Sequence, residues 1–180
     1  MTAFVLSKDC PTDATLSYED GRPAYIVESN GKLIGKTTVI SRADGEELAK
    51  LRWRALHEHE VEIGGNEMKL SGLMPKKSTF SSDRLFKNSS GEEFRWKMRS
   101  SKVQCTSVAS DSDIATYHSS CMGIIGKKHP AYIDIADQGL KDQDLIVITC
   151  LIMAALQQDQ TNASAAAMSS ASSNVAAISS

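Results

Sequence analysis

Residues 144–156 read Asp-Leu-Ile-Val-Ile-Thr-Cys-Leu-Ile-Met-Ala-Ala-Leu, and after Asp144 the single polar side chain is Thr149. A helix of this composition has no face to offer to water, so it must be enclosed on every side. At a rise of 1.5 Å per residue it is about 18 Å long, short of the ~30 Å hydrocarbon core of a bilayer. Its flanks carry Asp and Gln rather than the Lys and Arg of a membrane anchor. The stretch is therefore expected inside a protein core. Asp142 or Asp144 is placed to cap it and to complement its dipole. Residues 145–149 alone are compatible with a strand, but the Leu-Ile-Met-Ala-Ala-Leu that follows favours helix, expected over about 143–158.

The enclosing material is β-structure. From about residue 3 to 136, short runs rich in β-branched and aromatic residues alternate with turn signals: Asp20-Gly21, Asn30-Gly31, Asp44-Gly45, Gly64-Gly65-Asn66 and Ser90-Gly91. That spacing predicts a meander of hairpins. Leu51, Trp53 and Ala55 alternate with Lys50, Arg52 and Arg54, as a strand with one wet face requires. The returning strand puts Val61 and Ile63 on one face and Glu58, Glu60 and Glu62 on the other, so acids can stand opposite the three bases and pin the register. Phe94, Trp96 and Met98 repeat the pattern against Arg95, Lys97 and Arg99, with no acidic partner evident. Further strands are expected at 4–8, 24–28, 37–42, 67–70, 103–108, 114–118 and 131–135. Gly45-Glu46-Glu47 before Arg52-Trp53, and Gly91-Glu92-Glu93 before Arg95-Trp96, form a weak echo that fits either two related halves or coincidence.

With 180 residues and 41% hydrophobic content, the chain is expected to form one domain over 1–158. An Ala- and Ser-rich segment, 159–180, reads as a flexible tail because it has little to bury. The 20 basic and 22 acidic side chains leave a formal charge of -2, so nucleic acid is not an expected partner. The first residues carry no basic leader or cleavage site, and the four cysteines at 10, 105, 121 and 150 are widely spaced; both point to the cytosol and to free thiols. Two N-glycosylation sequons, at Asn88 and Asn162, would matter only on an export route.

Certain segments carry a family likeness. Pro23-Ala24-Tyr25-Ile26-Val27, Thr37-Thr38-Val39-Ile40, Ser89-Ser90-Gly91-Glu92-Glu93-Phe94-Arg95-Trp96-Lys97, Ile114-Ala115-Thr116-Tyr117-His118 and Asp144-Leu145-Ile146-Val147-Ile148-Thr149 resemble the tubby-like superfamily. That group includes tubby C-terminal domains, phospholipid scramblases and plant LURP-one-related proteins. More closely, the chain resembles a mushroom-type fungal domain of unknown function placed in the superfamily. The likeness spans about residues 3–158. It implies a mainly β fold, a closed antiparallel barrel of about twelve strands around the apolar C-terminal helix. As to activity, some tubby domains bind phosphoinositides, scramblases are linked to calcium and lipid, and the plant relatives to defence. The scramblase calcium motif is not found here, and no family binding residue maps onto a numbered position.

Motifs with catalytic or metal-binding associations mostly fail on context. Gly31-Lys32-Leu33-Ile34-Gly35-Lys36-Thr37 has three residues between its glycines where a P-loop has four, and a strand follows instead of a helix. His57 and His59 could share a strand face, but two further zinc ligands are missing nearby. His118 and Cys121 lack an evident orienting group or oxyanion site. Glu46-Glu47, Glu92-Glu93 and Asp111/Asp113 read as solvated turns, the last without the remaining ligands of a calcium loop. No metal, cofactor or catalytic residue is expected.

The remaining candidate is basic. Arg95, Lys97 and Arg99 share a strand face, Lys102 follows, and Lys76, Lys77, Lys127 and Lys128 fall in loops that a barrel could bring near. Such cations attract anionic headgroups, each contributing up to ~1 kcal/mol near a charged membrane. The expected function is thus a non-catalytic binding module, cytoplasmic and peripheral to membranes, recognising anionic phospholipid or phosphoinositide headgroups. The alternative is a protein- or glycan-interaction module in fungal defence or development.

Overall fold

The computed structural model describes residues 1–31, 35–99, 102–121 and 128–176, with side chains through Met168. Twelve strands run in chain order: β1 (Thr2–Leu6), β2 (Ala14–Ser17), β3 (Pro23–Asn30), β4 (Thr37–Arg42), β5 (Glu47–Arg52), β6 (Glu60–Ile63), β7 (Asn66–Lys69), β8 (Arg84–Lys87), β9 (Glu93–Met98), β10 (Lys102–Ser107), β11 (Asp113–His118) and β12 (Tyr132–Ile135). A single helical turn, α1 (Leu70–Leu73), follows β7. A 3₁₀ helix over Asp137–Asp142 leads directly into α2 (Gln143–Ala176). Among the described residues no helix is long and apolar enough to cross a membrane.

All twelve strands form one antiparallel sheet in the order β7-β6-β5-β4-β3-β2-β1-β12-β11-β10-β9-β8. Two meanders, β1 to β7 and β8 to β12, are therefore joined where β1 lies against β12, with Phe4 opposite Ile133. The alternation expected from sequence sets the inner face: Tyr25, Val27, Ile40, Leu51, Val61, Phe94, Trp96, Val103 and Ile133 are all buried. They surround α2, whose residues 146–155 are buried at every position. Thr149, its one polar group, is fully buried; its hydroxyl donates to Leu145 O (2.8 Å) and accepts the Trp96 indole N–H (3.0 Å).

The sheet is not closed into a barrel. β7 and β8 are its two ends and do not pair with one another. The chain between them returns through α1 and lays residues 75–77 along β8: Leu85 N donates to Pro75 O (2.9 Å), Lys77 N donates to Asp83 O (2.9 Å), and Lys76 bridges to Arg84. This segment takes hydrogen bonds that closure would have given to β7, so a seam remains between the two ends.

α2 does not end near residue 158. It continues to Ala176, so the segment expected to be a flexible tail is largely helical, and residues 159–168 are exposed. Good intrinsic propensity at its alanines carries the helix on where packing no longer supports it. Asp144 lies in the first turn of α2, but its carboxylate accepts the Tyr25 hydroxyl (2.8 Å) and pairs with Arg42. Asp142 instead accepts the Asn88 amide (2.8 Å).

Candidate functional site

The basic candidates separate into three places. On the outer face of β9, Arg95 and Lys97 stand as expected, but Asp111 lies 3.1 Å from Arg95 and 3.7 Å from Lys97. Their side chains are 22% and 18% exposed, so this pair is largely covered and its two charges share one carboxylate. Sequence reading found no acidic partner, because Asp111 belongs to the β10–β11 turn. It is brought across by the register that sets Thr106 opposite Arg95, and by a left-handed backbone at Asp111 (φ 53). Lys102 opens β10 opposite His118, and its backbone carbonyl accepts the Arg99 N–H (2.8 Å). Lys128 is exposed next to His129, away from β9, and Lys127 lies outside the described residues.

Arg99 and Lys76 edge two adjoining hollows elsewhere, at the rim where α2 leaves the sheet, and Lys77 follows Lys76 outside both linings. Two adjoining hollows share Ser82, Met98 and Gln160; one is edged by Lys76, Phe80 and Arg84, the other by Arg99 and Gln157. The Gln157 amide donates to the Arg99 carbonyl, tying the rim to the helix. Lys76, Lys77 and Arg99 are exposed and make no ion pair among the described residues. Between them the loop presents Phe80, 101% exposed. A large aromatic held wholly in water beside unpaired cations is the least economical surface feature of the fold. Nothing in the sequence pattern singled out Phe80. No acid lines either hollow among the described residues; Glu58, exposed, acts electrostatically on Arg84.

His118 and Cys121 do not assemble a reactive centre. The His118 ring stacks on Tyr132 (centroids 4.3 Å apart, 8° between planes) and its Nε2 lies 3.2 Å from Asp134. Burial, with Lys102 and His129 nearby, pushes its pKa below the usual 6.5 against the opposing pull of Asp134. Cys121 is half-buried and pairs through its backbone with His129. Cys105 and Cys150 are buried, and desolvation raises both thiols, which makes them poor nucleophiles.

The other motifs resolve into structural roles. His59 Nδ1 accepts the Arg54 N–H (3.1 Å) and its ring meets Trp53 edge-on (5.1 Å). Asp113 accepts the Gln104 amide (2.7 Å). The acids on β6 meet bases as expected, Glu62 with Arg52 (3.1 Å) and Glu60 with Arg54 (2.7 Å), while Lys50 turns to Glu47 (3.1 Å). Asn88 is buried and organises the β8–β9 turn, so its sequon is occupied by structure. The P-loop-like run has its centre, 32–34, outside the described residues. Lys36 from that run donates to Thr12 Oγ1 (2.5 Å). No group of His, Cys, Asp and Glu suited to a metal is found among the described residues.

The Gly-Glu-Glu echo marks matching turns. Gly45 N donates to Arg42 O (2.9 Å) and Arg42 N to Glu46 O (2.9 Å); Gly91 N donates to Asn88 O (3.0 Å) and Asn88 N to Glu92 O (3.1 Å). Both glycines have positive φ, 94° and 83°. The β2–β3 turn repeats the pattern through Gly21 and Tyr18 (2.9 Å). A recurring turn chemistry accounts for the echo. The β4–β5 and β8–β9 turns flank an open cleft of about 660 Å³ at the mouth where α2 begins, lined by residues of β5, β6 and the helix start.

A twelve-stranded antiparallel sheet packed around one buried helix defines a class of β-rich domain organised by its C-terminal helix. Within that class the chain belongs to the family of unknown function DUF6593, whose model matches residues 9–159. None of the curated proteins matches it. Among solved structures it is similar to a protein from Arabidopsis thaliana determined by X-ray crystallography, at 13% identity, over 82% of this chain and 88% of that one, with a TM-score of 0.46.

Proposed function

We infer that the chain is a non-catalytic binding module of the tubby-like kind that recognises anionic headgroups at a membrane surface, with the α2 exit rim as the recognising surface. The observation that carries this reading is Phe80, wholly exposed in the hollow edged by Lys76, with Arg99 on the adjoining hollow and neither cation ion-paired among the described residues. Cations supply attraction to phosphates, and an aromatic side chain is suited to the interfacial layer of a bilayer. Arg95 and Lys97, already shared by Asp111, contribute less, since an ion pair with an internal acid must be given up before a headgroup is gained. The displacement of the site from strand face to rim is thus an argument from pairing.

Vesicle sedimentation with the full chain tests it. Vesicles of phosphatidylcholine containing phosphatidylserine or a phosphoinositide should retain the protein at low salt and release it at high salt. The variant K76E/K77E/F80S should lose retention, while R95Q/K97Q should keep most of it. No retention at low salt, or equal retention of both variants, would overturn the reading. A protein partner is the rival, drawn from the exposed extension of α2 over residues 159–168; vesicle-independent binding that survives high salt would favour it.

A further inference from the structure

We propose that the cleft at the start of α2 is a binding site for an amphipathic cation, a small molecule with an alkyl or aryl body and an amine or ammonium head. Its walls present Leu48, Ile63, Leu140 and Leu145, all half-buried, and Ile148 closes its floor. These side chains come from β5, β6, the 3₁₀ helix and α2, and they border the open mouth to which the β6–β7 and β8–β9 turns contribute Gly64 and Ser89. Its volume, about 660 Å³, falls in the range of small-molecule sites, and an apolar lining with a few converging polar groups is their usual character. A ligand body seated here would complete the burial of these half-buried side chains.

The rim sets the sign of the head. Four carboxylates line it, those of Glu46, Glu47, Asp142 and Asp144, against Arg42 and Lys141. Arg42 is divided between Glu46 and Asp144. Glu92, outside the lining, holds Lys141 at 2.8 Å, and Lys50 holds Glu47 at 3.1 Å. Asp142 receives an uncharged donor, the Asn88 amide at 2.8 Å, and has no cation at ion-pair distance among the described residues. An anionic head would meet a surplus of carboxylate here, whereas an ammonium would add a direct charged contact to Asp142, which Lys141 reaches only electrostatically and not at ion-pair distance. The preference is opposite in sign to that of the α2 exit rim, and the two mouths lie about 20 Å apart along the helix. Either site can therefore fail while the other stands.

The test uses the full chain with octylamine, octanoate and octanol as probes, read by methyl NMR of leucine and isoleucine. Octylamine should shift the methyls of Leu48, Ile63, Leu145 and Ile148 saturably, with octanoate binding at least about fivefold more weakly. D142N keeps an acceptor for Asn88 and should leave the denaturation midpoint unchanged, yet reduce octylamine affinity toward that of octanol. L48K should abolish saturable binding by placing a charge in the apolar wall. Shifts scattered outside the cleft, octanoate binding as tight as octylamine, or an octylamine affinity indifferent to D142N would each overturn the proposal.

Discussion

Thr149 shows how one residue can reconcile a wholly apolar helix with a core that contains a buried indole. Its hydroxyl donates within α2 and accepts from Trp96 Nε1, so both groups are satisfied without water. Thr149→Val keeps the shape but leaves the indole N–H without a partner, and should cost about 1–3 kcal/mol in urea denaturation. Trp96→Phe should cost less in the T149V background than in the wild-type chain, giving a measurable coupling in a double-mutant cycle. Gly139 is constrained by space instead. A Cβ there would stand 3.0 Å from methyls of Ile114 and Ile135 and 3.1 Å from Ile146 Cδ1. Gly139→Ala is therefore expected to destabilise by roughly 1–3 kcal/mol through overpacking, with the same chemical-shift pattern elsewhere. Histidine titration adds a pH dependence. Burial lowers the pKa of His118 and of His59 below the unfolded 6.5. The unfolded chain then binds protons that the folded one does not, so this contribution is intact above pH 6.5 and is lost as pH falls through the depressed folded values. The denaturation midpoint should fall between pH 7.5 and pH 5, by less in the H59Q/H118Q variant; an identical slope in both proteins would contradict the assignment.

At the scale of elements, the parts legible in the sequence are those whose pattern is set by burial alone. The enclosed helix, the inner faces of β5, β6 and β9, and the hairpin turns with glycine at positive φ follow from periodicity and turn chemistry. β2 (Ala-Thr-Leu-Ser) and β8 (Arg-Leu-Phe-Lys) are not evident: the first holds one large apolar side chain and in the second two stand adjacent, so neither shows an alternation. The extension of α2 reads as tail because composition measures what can be buried, whereas this helix is continued by its N-terminal neighbours rather than by packing. Site residues were harder. Arg95 and Lys97 were legible as a face, but Asp111 depends on a turn that register alone delivers, and Phe80 stands in a loop with no periodicity. The helix also divides the thiols. Cys105 and Cys150 are enclosed between β10 and α2, while Cys10 and Cys121 are half-buried. A thiol reagent at neutral pH should label Cys10 and Cys121 in the native protein and reach the other pair only on unfolding; early labelling of Cys150 would mean that the helix leaves the core on the reagent's timescale.

For the whole molecule, the decisive feature is that the sheet ends where a barrel would close. β1 and β12 lie in the interior of the sheet order, each flanked on both sides, and their pairing holds the two meanders together. β7 has one strand neighbour, β6, and its residues are mostly exposed. β8 has β9 on one side and is supported on the other by residues 75–77. Short length and the charges of Glu67 and Lys69 protect such an edge from pairing with another chain, without supplying the hydrogen bonds that would stabilise it. Local opening should therefore begin at β7 and leave β1 and β12 for last. Native-state hydrogen exchange is expected to show the amides of Glu67 and Lys69, which face the seam, exchanging with little protection and that of Met68, on the β6 side, exchanging through fluctuations well below the global unfolding free energy, with those of Phe4 and Ile133 exchanging near it. If β7 were protected as strongly as β1, a ladder across the seam would have to exist in solution. The same experiment repeated with saturating octylamine separates two origins of any protection: a ligand resting on Ile63 should slow exchange in β6 and β7, while leaving the β8 amide of Leu85, already bonded to Pro75, unchanged.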